Sequence, residues 1–220
     1  MSVLVEAAVE TLDGAIQAER DGAGRLELCA DLARDGTTPS AGLIREVRQR
    51  VDIPVNVIIR PRPGDFHNDA GELAVMLADI RECRRAGADG VVIGALTAAG
   101  AVDREMTARL LAAAHPLPVT FHRAADATRD LGATVALLAE LGVRHVLTSG
   151  GAPTALEGAE RLAGLERTFG RTIGILAGGS VRAESVAELV RRTGVRQVHV
   201  GFPWRAPADR IAGVVAALRG

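Results

Sequence analysis

The stretch Thr172–Gly201, TIGILAGGSVRAESVAELVRRTGVRQVHVG, decides the fold. It opens with an apolar, β-branched run, Thr172–Gly179, that ends in two glycines. A helical stretch, Glu184–Arg192, follows and stops at Gly194. A second apolar run, Gln197–Gly201, closes the unit. Strand, loop, helix and strand in about 30 residues make a βαβ unit, whose two strands lie parallel.

Working outward, the same unit recurs along the chain. Apolar runs lie at Val3–Ala8, Arg25–Ala30, Pro54–Pro61, Gly90–Ala95, Pro118–Ala124 and His145–Gly150, ahead of the two at Thr172–Gly179 and Gln197–Gly201. Their starts are 22 to 36 residues apart, enough for one strand, one helix and two short loops. Eight such units predict an α/β fold, a closed (β/α)8 TIM barrel forming a single domain over residues 1–220. The chain has 220 residues, where this architecture typically takes about 250, so no appended module is expected. Barrel enzymes place their sites at the C-terminal ends of the strands, which directs attention to the last residues of each run.

Composition narrows the chemistry. The formal net charge is −1 and no run of five like charges occurs, so nucleic acid is not an expected partner. No stretch offers 18 consecutive apolar residues, and the N-terminus carries no basic region followed by an apolar core. No membrane association and a cytoplasmic location are therefore expected. Every one of the 26 basic residues is arginine, and tyrosine is absent. A lysine Schiff base is excluded, and a general base must be His, Asp, Glu or a cysteine thiolate. The two cysteines, Cys29 and Cys83, do not suggest a disulfide framework.

Side chains alternate along a strand, and barrel strands face helices on one side and a packed interior on the other. A carboxylate does not belong against a covering helix, so Glu6 is assigned to the interior, with Leu4 and Ala8. The same parity sends Arg25, Glu27 and Cys29 inward from the second run. From the third it sends Asn56, Ile58, Arg60 and Arg62. The fifth contributes Thr120 and His122, and the eighth Gln197 and His199. The fourth, sixth and seventh runs are apolar or small on both parities and cannot be phased. Glu6, Glu27, Arg60, His122 and His199 are thus expected to converge, either as a network bracing the barrel or as a site.

Four motifs sit where a site is expected. Ala177-Gly178-Gly179-Ser180 ends the seventh run ahead of a helix, and His199-Val200-Gly201 ends the eighth. Backbone N–H groups after these two strands commonly bind phosphate in barrels, so Gly178, Gly179, Ser180 and Gly201 are candidate anion ligands. A tight turn needing positive φ is the plainer alternative. Ile59-Arg60-Pro61-Arg62 offers two arginines for a carboxylate or phosphate, or for ion pairs with Glu6, Glu27 or Asp65. Phe121-His122-Arg123-Ala124-Ala125-Asp126 gathers a base, a cation and an acid. Leu147-Thr148-Ser149-Gly150 adds the Ser149 hydroxyl. The candidate acid–base groups are therefore Glu6, Glu27, His122 and His199, and the candidate anion ligands also include Arg60, Arg62, Arg123 and Ser149. Phe202-Pro203-Trp204 is an apolar patch suited to the mouth or to an interface in a homo-oligomer.

Taken together, these segments resemble the CutC family, named for copper homeostasis. The likeness rests on Arg25-Leu26-Glu27-Leu28-Cys29, Gly36-Thr37-Thr38-Pro39-Ser40, Ile59-Arg60-Pro61-Arg62, Gly64-Asp65-Phe66, Phe121-His122-Arg123-Ala124, Leu147-Thr148-Ser149-Gly150 and Ala177-Gly178-Gly179. It implies a (β/α)8 barrel, a cytoplasmic location and copper binding, with Cys29 as metal ligand. One departure weakens the copper part. Where the family pattern reads Leu-Glu-Val-Cys, this chain reads Val5-Glu6-Ala7-Ala8, so one of two thiols suited to Cu(I) is replaced by Ala8. No cofactor is certain on this pattern. The expected partner is a small anionic molecule or copper, and an enzyme acting on a small phosphorylated or carboxylated metabolite stands as the alternative.

Overall fold

The computed structural model describes residues 3–202 and 209–219. Eight parallel strands close into a barrel in the order β1 to β8. They are β1 Leu4–Val9, β2 Arg25–Leu28, β3 Val55–Ile58, β4 Gly90–Ile93, β5 Val119–Phe121, β6 His145–Thr148, β7 Gly174–Ala177 and β8 Gln197–Phe202. Helices alternate with them: α1 Leu12–Arg20, α2 Ala41–Arg48, α3 Ala70–Arg85, α4 Arg104–Ala114, α5 Leu131–Glu140, α6 Ala159–Phe169, α7 Ala183–Thr193 and α8 Arg210–Ala217. Among the described residues no helix is long and apolar enough to cross a membrane. The Pro203-Trp204 part of the apolar patch lies outside the described residues, as does the side chain of Phe202.

Local sequence explains where the helices begin. Thr11 accepts a hydrogen bond from the Gly14 N–H, Ser40 from Leu43, Asp103 from Met106 and Asp130 from Ala133. Asp69 and Glu72 form a reciprocal capping box at the start of α3. Each such cap is worth about 1 kcal/mol. Gly194 ends α7 with a φ of +71°, as a left-handed C-terminal glycine does.

Alternation divides the buried side chains into two layers. Val5, Ala7, Leu26, Leu28, Val55, Val57, Val91, Ile93, Phe121, Val146, Ile175, Val198 and Val200 pack outward against the helices in one continuous core. Fully burying each large aliphatic side chain contributes about 1.5–3 kcal/mol. Inside the barrel, Cys29, Ile58 and Val92 form a separate small cluster. The strands that could not be phased are settled by this packing: Val92 points inward, and Leu147 lines the mouth. Register sets the heights. Glu6 lies opposite Arg25 on β2 and His199 on β8, and Ala8 lies opposite Glu27 and Gly201.

One orientation is corrected. Arg62 does not face the interior. β3 ends at Ile58, and the chain leaves the strand direction before the Pro61–Gly64 bend, so period-two counting fails there. Arg62 instead pairs with Asp65 and Glu72 on the surface.

Candidate functional site

The interior polar groups form two separate sets. The first is a buried chain of charges across β8, β1 and β2. The Arg25 guanidinium pairs with Glu6, which is fully buried, and also donates to the Gln197 amide oxygen at 2.9 Å. His199 Nδ1 lies 2.8 Å from the other Glu6 oxygen, and its Nε2 lies 3.8 Å from Glu27. Burial alone would raise the Glu6 pKa. The His199 hydrogen bond and the Arg25 charge outweigh it and hold the carboxyl at about 2. Glu27 shifts the other way, because burial raises it more than the His199 charge lowers it. Burial also pulls on His199, yet the Glu27 charge and the Glu6 hydrogen bond raise its pKa. Glu6 is thus a fixed carboxylate, while the Glu27 and His199 pKa values both lie above their ordinary ones.

Cys29 hangs from Glu27. Its Sγ lies 3.4 Å from a Glu27 carboxylate oxygen, and burial, with Glu27 beside it, pushes the thiol well above its usual pKa. It is packed with Ile58 and Val92 and does not line the mouth. The other cysteine, Cys83, is buried in α3 under the helix layer.

Above Glu27 the barrel opens into a cavity of about 480 Å³. Glu27, His199, Arg60, His122, Arg123, Gly179, Ser180 and Gly201 all line it. Glu6 lies beneath this cavity and Arg62 outside it. Gly178 packs its backbone against Leu147 and His199, so it supports the wall without lining it. Ser149 is buried behind Arg123: its hydroxyl meets Asp126 at 3.1 Å and the Arg123 guanidinium at 3.0 Å. Asp126 also accepts from the N–H groups of Ser149 and Gly151, so this cluster is a bracket that ties the loops after β5 and β6.

At the β7 end, Gly179 and Ser180 both have left-handed backbones, with φ of +110° and +54°. For a serine this conformation is uncommon and is kept where surrounding structure demands it. Among the described residues, nothing accepts a hydrogen bond from the N–H of Gly179, Ser180 or Val181. These three residues line the cavity just ahead of the α7 N-terminus. Arg182 and Arg210 line it too. Neither is a candidate in the sequence pattern, although Arg182 stands two residues after the Gly-Gly-Ser motif.

After β5 and β3, His122 and Arg60 form the second set. His122 is buried, and its Nδ1 accepts from the Ala124 N–H at 3.1 Å. Burial, helped by the Arg60 charge, lowers its pKa to about 3, so the ring is neutral near pH 7. Arg60 donates to the carbonyls of Arg34, Gly36 and Gly64, and its guanidinium lies 5.3 Å from the Phe66 ring.

The profile of the CutC family matches residues 3–203. The human copper homeostasis protein cutC homolog is 44% identical over 197 residues, 89% of this chain and 72% of that protein. A CutC family protein of Caulobacter vibrioides is 45% identical over 205 residues, covering 93% of this chain and 83% of its own length. A solved CutC structure from Streptococcus agalactiae superposes with a TM-score of 0.86 at 34% identity, over 90% of this chain and 98% of that one.

Proposed function

Because the chain belongs to the CutC family, we propose that its barrel mouth is the functional centre and that it binds a small phosphorylated molecule. The observation that carries this reading is the run of three cavity-lining N–H groups at Gly179, Ser180 and Val181 that no described residue accepts from. Successive backbone N–H groups where the chain reverses form an anion-binding concavity, and a helix N-terminus adds positive potential. Arg123, Arg182 and Arg210 supply charge around the same space. Glu27 and His199, 3.8 Å apart and both lining the cavity, are the groups for proton transfer. Two free cysteines fit a reducing, cytoplasmic setting.

The test is thermal. At about 10 mM phosphate and a Kd near 1 mM, mass action stabilises the protein by ~1.4 kcal/mol, or roughly 3–6 °C in Tm. Gly201→Val places a side chain where the described atoms leave open space, and it should remove the shift. Gly179→Val should also remove it, but it adds backbone strain at φ +110°. A wild-type Tm indifferent to phosphate at millimolar concentration counts decisively against the reading.

The relatives' names raise copper as an alternative cargo. The donor set does not fit Cu(I), which favours paired sulfur ligands. One thiol is present there, held protonated against Glu27, and Ala8, where the family pattern has the second cysteine, lies opposite Glu27 on the neighbouring strand. The expected result is weak Cu(I) binding: a competing Cu(I) chelator should strip wild type and Cys29→Ser equally under reducing conditions. Tight one-to-one binding abolished by Cys29→Ser would restore copper as the ligand.

A further inference from the structure

We propose that Arg60 and His122 form a second pole of the ligand site that receives a carboxylate, so that the molecule bound is a short phosphorylated carboxylic acid. This rests on the phosphate reading above for the other pole. Two buried donors carry the argument. Arg60 Nε and His122 Nε2 are both shielded from solvent and have no hydrogen-bond partner, and both residues line the cavity. Leaving a buried donor unmade costs about 1–3 kcal/mol, so such groups call for an explanation.

The tautomer of His122 follows from its neighbour. The Ala124 N–H can only donate, so Nδ1 must be the acceptor and the ring proton sits on Nε2. The orphan atom is therefore an N–H. Its ring lies flat over Gly94, where an added Cβ would fall 2.0 Å from Cε1, and 5.0 Å from the Phe66 ring. It is held in place with its donor unused.

Arg60 is equally fixed. Three backbone carbonyls hold the two terminal nitrogens and set the plane of the guanidinium. Carbonyls accept hydrogen bonds but do not neutralise charge. No carboxylate among the described residues lies within ion-pair distance of Arg60, and Asp35 acts on it only at longer range. Asp35 lines the same cavity but makes no ion pair with Arg60, so the buried cation still favours an anion in direct contact. Burial, with the Arg60 charge helping, keeps His122 neutral, so the pair offers one cationic and one neutral N–H.

Topology places Arg60 across the mouth from the first pole, with His122, after β5, between the two. In a closed ring of eight strands, β3 and β7 are four places apart, on opposite sides. Arg60 follows β3, and Gly179 follows β7. A ligand reaching both needs an anionic group at each end. The volume of about 480 Å³ falls within the range of small-molecule sites, roughly 300–1,000 Å³.

Calorimetric titration with three probes tests the assignment. 3-Phosphoglycerate and glycerol 3-phosphate differ only in a carboxylate against a hydroxymethyl group, and glycerate lacks the phosphate. Wild type should bind 3-phosphoglycerate at least tenfold more tightly than glycerol 3-phosphate. His122→Phe, which keeps a ring over Gly94, should bring the two within twofold. His122→Asn retains an acceptor for the Ala124 N–H and serves where the phenylalanine variant folds poorly. Equal wild-type affinity for the two phosphates overturns the second pole and leaves the phosphate reading standing. Binding of glycerate alone, weakened by His122→Phe, supports the second pole and removes the phosphate one. Silence with all three probes removes both.

Discussion

Glu6→Leu should lower the stability of the protein by about 3–5 kcal/mol, the scale for removing one member of a buried ion pair. Glu6 is fully buried between Arg25 and His199, and no other carboxylate lies within ion-pair distance of Arg25 among the described residues. Taking it away strands a guanidinium inside the barrel. Urea denaturation at pH 7 measures the loss. Glu27→Leu is the contrast: Glu27 lies at 3.8 Å from His199, which keeps its Glu6 contact, so a change within about 1 kcal/mol is expected. The pH dependence supplies a second readout. The Glu6 pKa is lowered in the fold to about 2 from 4.5. Stability from this group is therefore complete above the unfolded value and is lost as pH falls from about 4.5 towards 2, on the order of 3 kcal/mol. Glu6→Leu should flatten that acid limb. A Glu6→Leu protein that loses less than about 1.5 kcal/mol and keeps the wild-type acid limb would show that the pair braces nothing.

Gly94→Ala is expected to be far more damaging than its one added methyl suggests. The new Cβ would lie 2.0 Å from His122 Cε1 and 2.4 Å from Nδ1. The imidazole has to leave its seat, which breaks the bond from the Ala124 N–H and shifts the ring away from Phe66. Overpacking of this kind costs about 1–3 kcal/mol. The loss should come with a second effect: any preference for 3-phosphoglycerate over glycerol 3-phosphate should vanish, because the Nε2–H is no longer held in place. Gly87→Ala is a useful comparison. Its Cβ would meet nothing within 4 Å, so its effect is confined to the strain of a φ of +83°. Should Gly94→Ala prove as mild as Gly87→Ala, with the ligand preference intact, the packed His122 seat is not what holds the donor.

The barrel and the inward direction of most of its polar side chains were legible from the chain alone. An eightfold repeat can close in few ways, and period-two alternation reports which way a side chain leaves its strand. That logic placed Glu6, Glu27, Arg60, His122 and His199 inside, and it held up to two residues past a strand end. It failed for Arg62, because β3 stops at Ile58 and the chain then turns. Alternation carries no information about height across neighbouring strands. Register alone put Glu6 level with Arg25 and His199, below the mouth, and so separated a bracing carboxylate from the cavity-lining pair Glu27 and His199. Closure of the ring likewise divided five expected neighbours into a charge chain on β8, β1 and β2 and a donor pair after β3 and β5. Loop contacts decided the rest. Arg60 is tied to carbonyls at Arg34, Gly36 and Gly64, and Cys29 donates its thiol proton to Glu27 beside Ile58. Such partners are fixed by where loops fold back over the barrel, and a linear pattern of residue types does not encode that distance.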